Sequence, residues 1–128
     1  MTVATNFMVP TENRPYLPLA NLPGIGLKPM NIKEDTPIWS AVMRIESGAC
    51  LPKRQHDGMC EVFVVRGNGT FADGTAFQRG DYVREENGEY DKITAKSELV
   101  VFFTHHGTCR FLGDDEKVLL EMDHMTKT

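Results

Sequence analysis

The stretch from Gly48 to Gly67, GACLPKRQHDGMCEVFVVRG, joins a turn-rich segment to a short apolar strand. Its polar part delivers Arg54 and His56, and five residues after His56 a glutamate, Glu61, opens the apolar run from Val62 to Val65. A run this apolar belongs in a protein core, so polar groups at its start are expected to project into an enclosed space. The stretch therefore predicts a functional site where a buried strand begins.

Short strands separated by glycine turns are predicted on both sides of this stretch. Residues 38–46 alternate apolar and polar side chains with period two, as a half-buried strand does. Turns are predicted at residues 67–69 and 73–74, and the run Leu99–Thr104, the most apolar of the chain, is predicted to be a central strand. Because no segment of ten or more residues has helical periodicity, we expect an all-β antiparallel sandwich or barrel with no substantial helix.

The chain is expected to fold as one domain, since 128 residues suffice for a single core. Residues 1–30 carry five prolines and two glycines, which interrupt helices and strands too often for a regular element to form. This segment is therefore predicted to be an extended N-terminal arm. We place the barrel at residues 31–123 and a tail at residues 124–128.

Composition disfavours nucleic-acid-binding, membrane-spanning and secreted classes of protein. A net charge of −4 without clustered Lys and Arg disfavours a nucleic-acid partner. No apolar run approaches the roughly 18 residues of a membrane span, and no secretory pattern is visible, so we expect a cytoplasmic protein with no membrane partner. The three cysteines cannot all pair within the chain and form no close CxxC pair, so buried free thiols are expected.

The spacing around His56 resembles the first sequence motif of the cupin family. That motif has a glycine, five residues, His-x-His, three or four residues, a glutamate, about six residues and a second glycine. Here Gly48 is followed by five residues, Arg54-Gln55-His56, four residues and Glu61, and Gly67 comes one residue early. The first histidine of the motif is therefore an arginine in this chain.

A second motif follows in the expected order. In cupins it has a glycine, five residues, Pro-x-Gly, two residues and a histidine. Here Gly80 is followed by five residues, Glu86-Asn87-Gly88, two residues and Asp91. The chain from Leu27 to Asp123 is most similar to the small single-domain branch of acetylacetone dioxygenase, 2,4'-dihydroxyacetophenone dioxygenase and the cupin half of the anti-sigma factor ChrR. This resemblance implies an RmlC-like jelly-roll β-barrel and, by analogy, a homodimer formed through the N-terminal arm.

The resemblance also implies a metal centre, for which two interpretations stay open. Its ligand positions correspond to Arg54, His56, Glu61 and Asp91, and only His56 and Glu61 keep the residue type of the family. In one interpretation His56, Glu61 and Asp91 hold Fe(II), Mn(II) or Zn(II). Arg54 cannot be a ligand, because guanidinium stays protonated, and its charge would repel the cation.

In the other interpretation, which we favour, no metal cofactor is present. Arg54 and Asp91 would form an ion pair that fills the centre of the site, since the guanidinium fork suits a carboxylate. Tyr82, Phe63 and Phe103 are further candidates to line a ligand pocket.

Two neighbouring groups have simpler interpretations. Of the histidines at 105–106 only one can face inward, and a strand-end histidine is more often solvent exposed. Glu85, Glu86 and Glu89 are expected to form a solvated rim.

The predicted function is that of a dioxygenase-like cupin with a degenerate metal site, acting on or binding a small oxygenated apolar molecule such as a β-diketone. Without metal, acid–base chemistry remains: Glu61 or His56 could remove a proton while Arg54 stabilises an enolate, as in an isomerase, cyclase or lyase. A non-catalytic ligand-binding or regulatory module is the alternative. A metal-dependent dioxygenase that uses His56, Glu61 and Asp91 is a further one.

Overall fold

The computed structural model describes residues 3–125. Residues 1 and 2 of the predicted arm and 126–128 of the predicted tail lie outside the described residues. The described part is built from strands and contains no helix, which confirms the all-β prediction. The strands are β1 (Leu17–Pro18), β2 (Ile25–Ile32), β3 (Ile38–Ile45), β4 (Cys50–Leu51), β5 (Lys53–Asp57), β6 (Cys60–Arg66), β7 (Asn68–Phe71), β8 (Ala76–Gln78), β9 (Tyr82–Glu85), β10 (Gly88–Tyr90), β11 (Ile93–Ala95), β12 (Leu99–His106), β13 (Thr108–Leu112) and β14 (Val118–Met122).

The strands form three antiparallel sheets. The largest has six strands in the order β1-β2-β3-β12-β6-β9, and the two smaller sheets have the orders β10-β5-β13-β14 and β4-β11-β7-β8. Inward side chains from all three sheets line one interior cavity, so the six-stranded sheet forms one wall and the two small sheets form the other. This arrangement is a jelly roll. No helix long and apolar enough to cross a membrane occurs within residues 3–125.

The centre of the six-stranded sheet is β12, as its apolar sequence predicts. It pairs with β3 along its whole length and with β6 on its other side. On β3, Trp39, Ala41, Met43 and Ile45 are all buried, in agreement with the predicted period of two. Burial of such apolar side chains stabilises the fold by roughly 1.5–3 kcal/mol for each large one.

The predicted extent of the N-terminal arm is partly wrong. Residues 25–32 form β2, which pairs with β3, although Pro29 lies within it. The proline is tolerated because the register shifts between Pro29 and Ile32, where the ladder of hydrogen bonds is interrupted. Residues 3–10 do lie outside any regular element, and Phe7 is 92% exposed.

Close backbone contact positions the strand that carries the site. Gly58, in the turn after β5, has φ +95°, and a Cβ there would lie 1.7 Å from the carbonyl oxygen of His106. Only glycine permits this approach, because any side chain would clash with the backbone of β12. The turn therefore fixes the end of β5 against the end of β12, which brings His56 close to His105.

Candidate functional site

Arg54 on β5 forms a buried ion pair with Glu85 on β9. Alternation along the strand turns Arg54 and His56 inward, and each is only 3% exposed. Nε of Arg54 donates to Oε1 of Glu85 at 2.9 Å, while Nη2 donates to Oε2. Glu85 ends β9 and is 5% exposed. This bidentate geometry is the one in which guanidinium and carboxylate interact most strongly.

Two histidines extend the pair into a hydrogen-bonded chain. Nε2 of His56 lies 2.7 Å from Oε1 of Glu85, and Nδ1 of His56 lies 2.9 Å from Nε2 of His105. Because a carboxylate only accepts hydrogen bonds, Nε2 of His56 carries a hydrogen. Nδ1 of His56 then accepts a hydrogen bond from Nε2 of His105. The chain thus runs from Arg54 through Glu85 and His56 to His105.

Burial and charge set the protonation of this chain. Burial alone raises the pKa of Glu85, but hydrogen bonds from His56 and Arg54 and the charge of Arg54 outweigh it and lower that pKa to about 2. Burial, reinforced by His56, lowers the pKa of His105 to about 4, and burial raises the pKa of the Cys109 thiol to about 12. At neutral pH the site therefore holds a carboxylate, a neutral His105 imidazole and a protonated thiol.

The chain borders an interior cavity of about 80 Å³. Its ionisable lining residues are Arg54, His56, Glu85, His105 and the two thiols, Cys60 and Cys109; the other lining residues are apolar or aromatic: Trp39, Met43, Ile45, Leu51, Val62, Val64, Phe71, Phe77, Val83, Ile93, Leu99, Val101, Phe103, Phe111 and Met122. A cavity of this size has room for roughly six water-sized groups. The arrangement is that of a small apolar chamber with one polar cluster.

The structure replaces the predicted Arg54–Asp91 ion pair by Arg54–Glu85. Asp91 follows β10 at the surface, where its carboxylate accepts the backbone N–H of Lys92 at 2.7 Å. Only the backbone carbonyl of Asp91 contacts the site, where it accepts from Nη1 of Arg54 at 2.8 Å. The physical reason is that β10 pairs with β5 at the rim, so the chain has left the interior by residue 91.

Three other predicted site residues lie on the outer face of the six-stranded sheet. Glu61 is half-buried there and accepts a hydrogen bond from the Tyr82 hydroxyl at 2.7 Å; Tyr82 is 56% exposed, and Phe63 is also exposed. Period two explains this for β6, because Cys60, Val62 and Val64 face the cavity and the two residues between them, Glu61 and Phe63, face outward. The predicted convergence of Glu61 with His56 is therefore wrong in this structure.

The family motif fits better when three residues follow His56 instead of four. Cys60 then stands at the glutamate position, and six residues separate it from Gly67. Cys60 is buried and lines the cavity, as a ligand position should. Burial raises the pKa of its thiol, with the negative charge of Glu85 adding to the effect, so the thiol is protonated.

Among the predicted pocket residues, Phe103 does line the cavity, but the sequence interpretation missed two others. Glu85, assigned to a solvated rim, is buried, and His105, expected to be exposed, is 1% exposed. Both follow from alternation: Glu85 shares the inward face of β9 with Val83, and His105 shares that of β12 with Phe103. Cys50 is exposed, so the expectation of buried thiols holds only for the other two cysteines.

The family's metal positions do not fit a metal in this chain. Arg54 is protonated and engaged by Glu85, Cys60 is a buried thiol, and the Asp91 carboxylate points to solvent. A different set of donors is present: one atom each from His56, His105 and Cys109, all within 4.8 Å of one another. These three buried side chains could hold a metal ion.

The sequence assigns the chain to a family. The sequence profile of the ChrR Cupin-like domain matches residues 4–110, and the chain belongs to that family. No curated protein matches the sequence.

Solved structures share the fold at low sequence identity. The acetylacetone dioxygenase from Acinetobacter johnsonii superposes with a TM-score of 0.78 at 20% identity, covering 96% of this chain and 88% of that one. An RmlC-like cupin protein from Ralstonia eutropha JMP134 gives 0.80 at 16% identity, covering 94% and 80%. A point mutant of the salicylate 1,2-dioxygenase from Pseudoaminobacter salicylatoxidans, in complex with gentisate, gives 0.61 at 16% identity, covering 70% and 27%.

Proposed function

We propose that this protein binds a small, neutral, mostly apolar molecule carrying one or two oxygen atoms in the interior cavity. The observation that carries the proposal is the cavity of about 80 Å³ whose lining is apolar apart from the Arg54–Glu85–His56–His105 chain and two thiols. Apolar burial supplies the affinity of such sites, and a few polar groups orient the ligand.

The charge of the polar cluster favours a neutral ligand. The cation of Arg54 is already neutralised by Glu85 through two hydrogen bonds. A ligand carboxylate would have to displace Glu85 and leave it as an unpaired buried anion, which costs several kcal/mol. The polar cluster therefore suits a carbonyl or hydroxyl group of the ligand better than a carboxylate.

The size of the cavity supports the predicted ligand class. Room for roughly six water-sized groups suits a molecule such as a β-diketone and excludes nucleotides and sugars of several rings. The fold shared with the acetylacetone dioxygenase from Acinetobacter johnsonii is consistent with that class.

Acid–base catalysis is a second candidate, favoured by the carboxylate–imidazole–imidazole chain. Both ring nitrogens of His56 are engaged, so the base would be His105, with His56 and Glu85 orienting it. Glu61 has no part in it because it lies on the outer face. Proton NMR under argon of a hydroxyketone incubated with the protein tests this. Conversion that is lost in His105→Gln supports catalysis, and no conversion leaves binding as the function.

Thermal unfolding with and without ligand tests the binding proposal. On metal-free protein, 2,4-pentanedione should raise Tm, because a ligand at about 100 times its Kd stabilises by roughly 2.7 kcal/mol. Pentanoate, of equal chain length but charged, should not.

Val64→Phe fills the cavity from β6, while the neighbouring Val65→Phe faces solvent and is the matched control. The Tm shift should disappear in Val64→Phe and persist in Val65→Phe. An unchanged shift in Val64→Phe would place the ligand elsewhere and overturn the proposal.

A further inference from the structure

Three buried side chains form a row of soft and borderline metal donors across one small sheet. Cys109 on β13 has His56 of β5 as its direct partner on one side and Met122 of β14 on the other. All three are buried and line the cavity. Direct cross-strand partners have Cβ atoms about 4.5–5.5 Å apart, so an imidazole, a thiol and a thioether are adjacent.

A second imidazole reaches this row from the opposite sheet. Nε2 of His105, on β12, lies 2.9 Å from Nδ1 of His56, and the donor atoms of both histidines and Cys109 all lie within 4.8 Å. Three donor atoms from three strands, two nitrogens and a thiol sulfur, are therefore close together, and Met122 on a fourth strand is the direct partner of Cys109.

We propose that His56, His105 and Cys109 bind a copper ion, with Met122 as a weak fourth ligand. Two imidazoles with one thiolate, and a distant thioether, form a donor set that suits copper, and thiolate and thioether ligands select Cu(I) in particular. Mn(II), Mg(II) and other hard ions prefer oxygen-rich sites, and Glu85, the carboxylate that lines this cavity, is already paired with Arg54.

The charge balance favours the monovalent ion. Arg54 and Glu85 cancel each other, so Cu(I) with the Cys109 thiolate adds no net charge to an apolar interior. A divalent ion with the same ligands would leave one uncompensated positive charge, which is costly to bury.

Binding of Cu(I) changes the protonation of two of its ligands, Cys109 and His105. Cu(I) replaces the thiol proton of Cys109, which leaves to solvent, since a metal-bound cysteine is a thiolate. The hydrogen on Nε2 of His105 moves to Nδ1 of the same ring, an atom without a hydrogen-bond partner among the described residues. Glu85 continues to accept from Nε2 of His56, the arrangement in which a carboxylate orients a ligating histidine.

This inference does not rest on the proposed ligand and uses none of the family's remaining metal positions apart from His56. Cys50 provides a matched control for Cys109, because both are free thiols but Cys50 is exposed and Cys109 is buried. Cys50→Ser removes adventitious binding, and Cys109→Ser removes the proposed ligand.

The experiment titrates anaerobic, reduced protein with Cu(I) in the presence of the chelator bicinchoninate, followed by gel filtration and elemental analysis. The wild type and Cys50→Ser should each keep one copper per chain, whereas Cys109→Ser and His105→Gln should keep less than a tenth of that. Full binding by Cys109→Ser, or none by Cys50→Ser, overturns the proposal.

X-ray absorption on loaded Cys50→Ser decides the outcome if both ligand variants fail to fold. Scattering from both imidazole nitrogen and sulfur is expected. A shell of sulfur alone would contradict the site, because it would show copper held by thiols without the histidines.

Discussion

Arg54 and Glu85 form a bidentate ion pair in the interior of the jelly roll, with Arg54 at the first histidine position of the cupin motif. Both side chains of the pair are buried, and His56 donates a hydrogen bond to the same carboxylate of Glu85. The positively charged guanidinium of Arg54 therefore lies at a position where the cupin motif has a metal-binding histidine. The consequences concern stability, acid sensitivity and the recovery of metal binding.

Removing one partner of this pair should destabilise the fold strongly. Glu85→Gln leaves the guanidinium of Arg54 buried without a counter-charge, and the expected loss of unfolding free energy is about 3–5 kcal/mol by urea denaturation. The matched control is Glu98→Gln, which breaks the exposed pair with Arg66 and should cost less than about 1 kcal/mol. Equal losses in the two variants would contradict the structure.

The double variant Arg54→Met with Glu85→Leu separates the pair from simple packing. Apolar side chains of similar volume need no counter-charge, so stability should return to within about 1–2 kcal/mol of the wild type. A double variant as unstable as Glu85→Gln alone would show that shape, not charge, governs this site.

The metal-free protein should lose stability in two acid windows. The pKa of His105 falls from 6.5 in the unfolded chain to about 4 in the fold, so stability is lost as pH drops from about 6.5 to 4. The pKa of Glu85 falls from 4.5 to about 2, so its contribution is complete above pH 4.5 and is lost toward pH 2.

Each window is worth on the order of 3 kcal/mol at 1.36 kcal/mol per pKa unit. Besides each other, the charged and titratable groups that influence these two residues are Arg54, His56 and His106. Urea denaturation curves from pH 7 to pH 2 measure both windows. In His105→Gln, stability should no longer depend on pH between 6.5 and 4. If stability is independent of pH in this range in both the variant and the wild type, the lowered pKa of His105 is wrong.

Restoring the inward family ligands should create a site for a divalent metal ion. Arg54→His with Cys60→Glu gives two imidazoles and a carboxylate on inward positions of β5 and β6, a set that binds Fe(II) or Mn(II). We expect about one equivalent after anaerobic loading and dialysis, against well under a tenth for the wild type. Arg54→His alone is the control, because it leaves Glu85 as the inward carboxylate; full binding by that single variant would show that a carboxylate at position 60 is not needed.

The homodimer expected by analogy stays a prediction. Phe7 and Met8 in the extended segment and Phe63 and Tyr82 on the outer sheet face are exposed apolar or aromatic side chains on the same chain. If a second copy covers them, deletion of residues 2–10 should convert a dimer to a monomer by light scattering. The same mass for the full and truncated chains would rule out a role for the arm.

Local patterns predicted much of the framework. Period-two alternation located β3, and apolar runs located β6 and β12. The segment interpreted as turn-rich contains the strand β5, which carries Arg54 and His56. Motif spacing identified the family. The same alternation, carried through β6, would have turned Cys60 and not Glu61 toward the cavity, since neighbouring residues of a strand face opposite sides.

The sequence by itself determined the all-β class, the cupin spacing and the presence of an arginine in place of a histidine. Only the tertiary structure decided which acid neutralises that arginine, because Glu85 is 31 residues from Arg54 and is brought to it by pairing of β9 with β6, not by any local pattern. It likewise decided that His105, 49 residues from His56, meets it in the interior. Such contacts depend on how sheets stack, and stacking is a property of the whole chain.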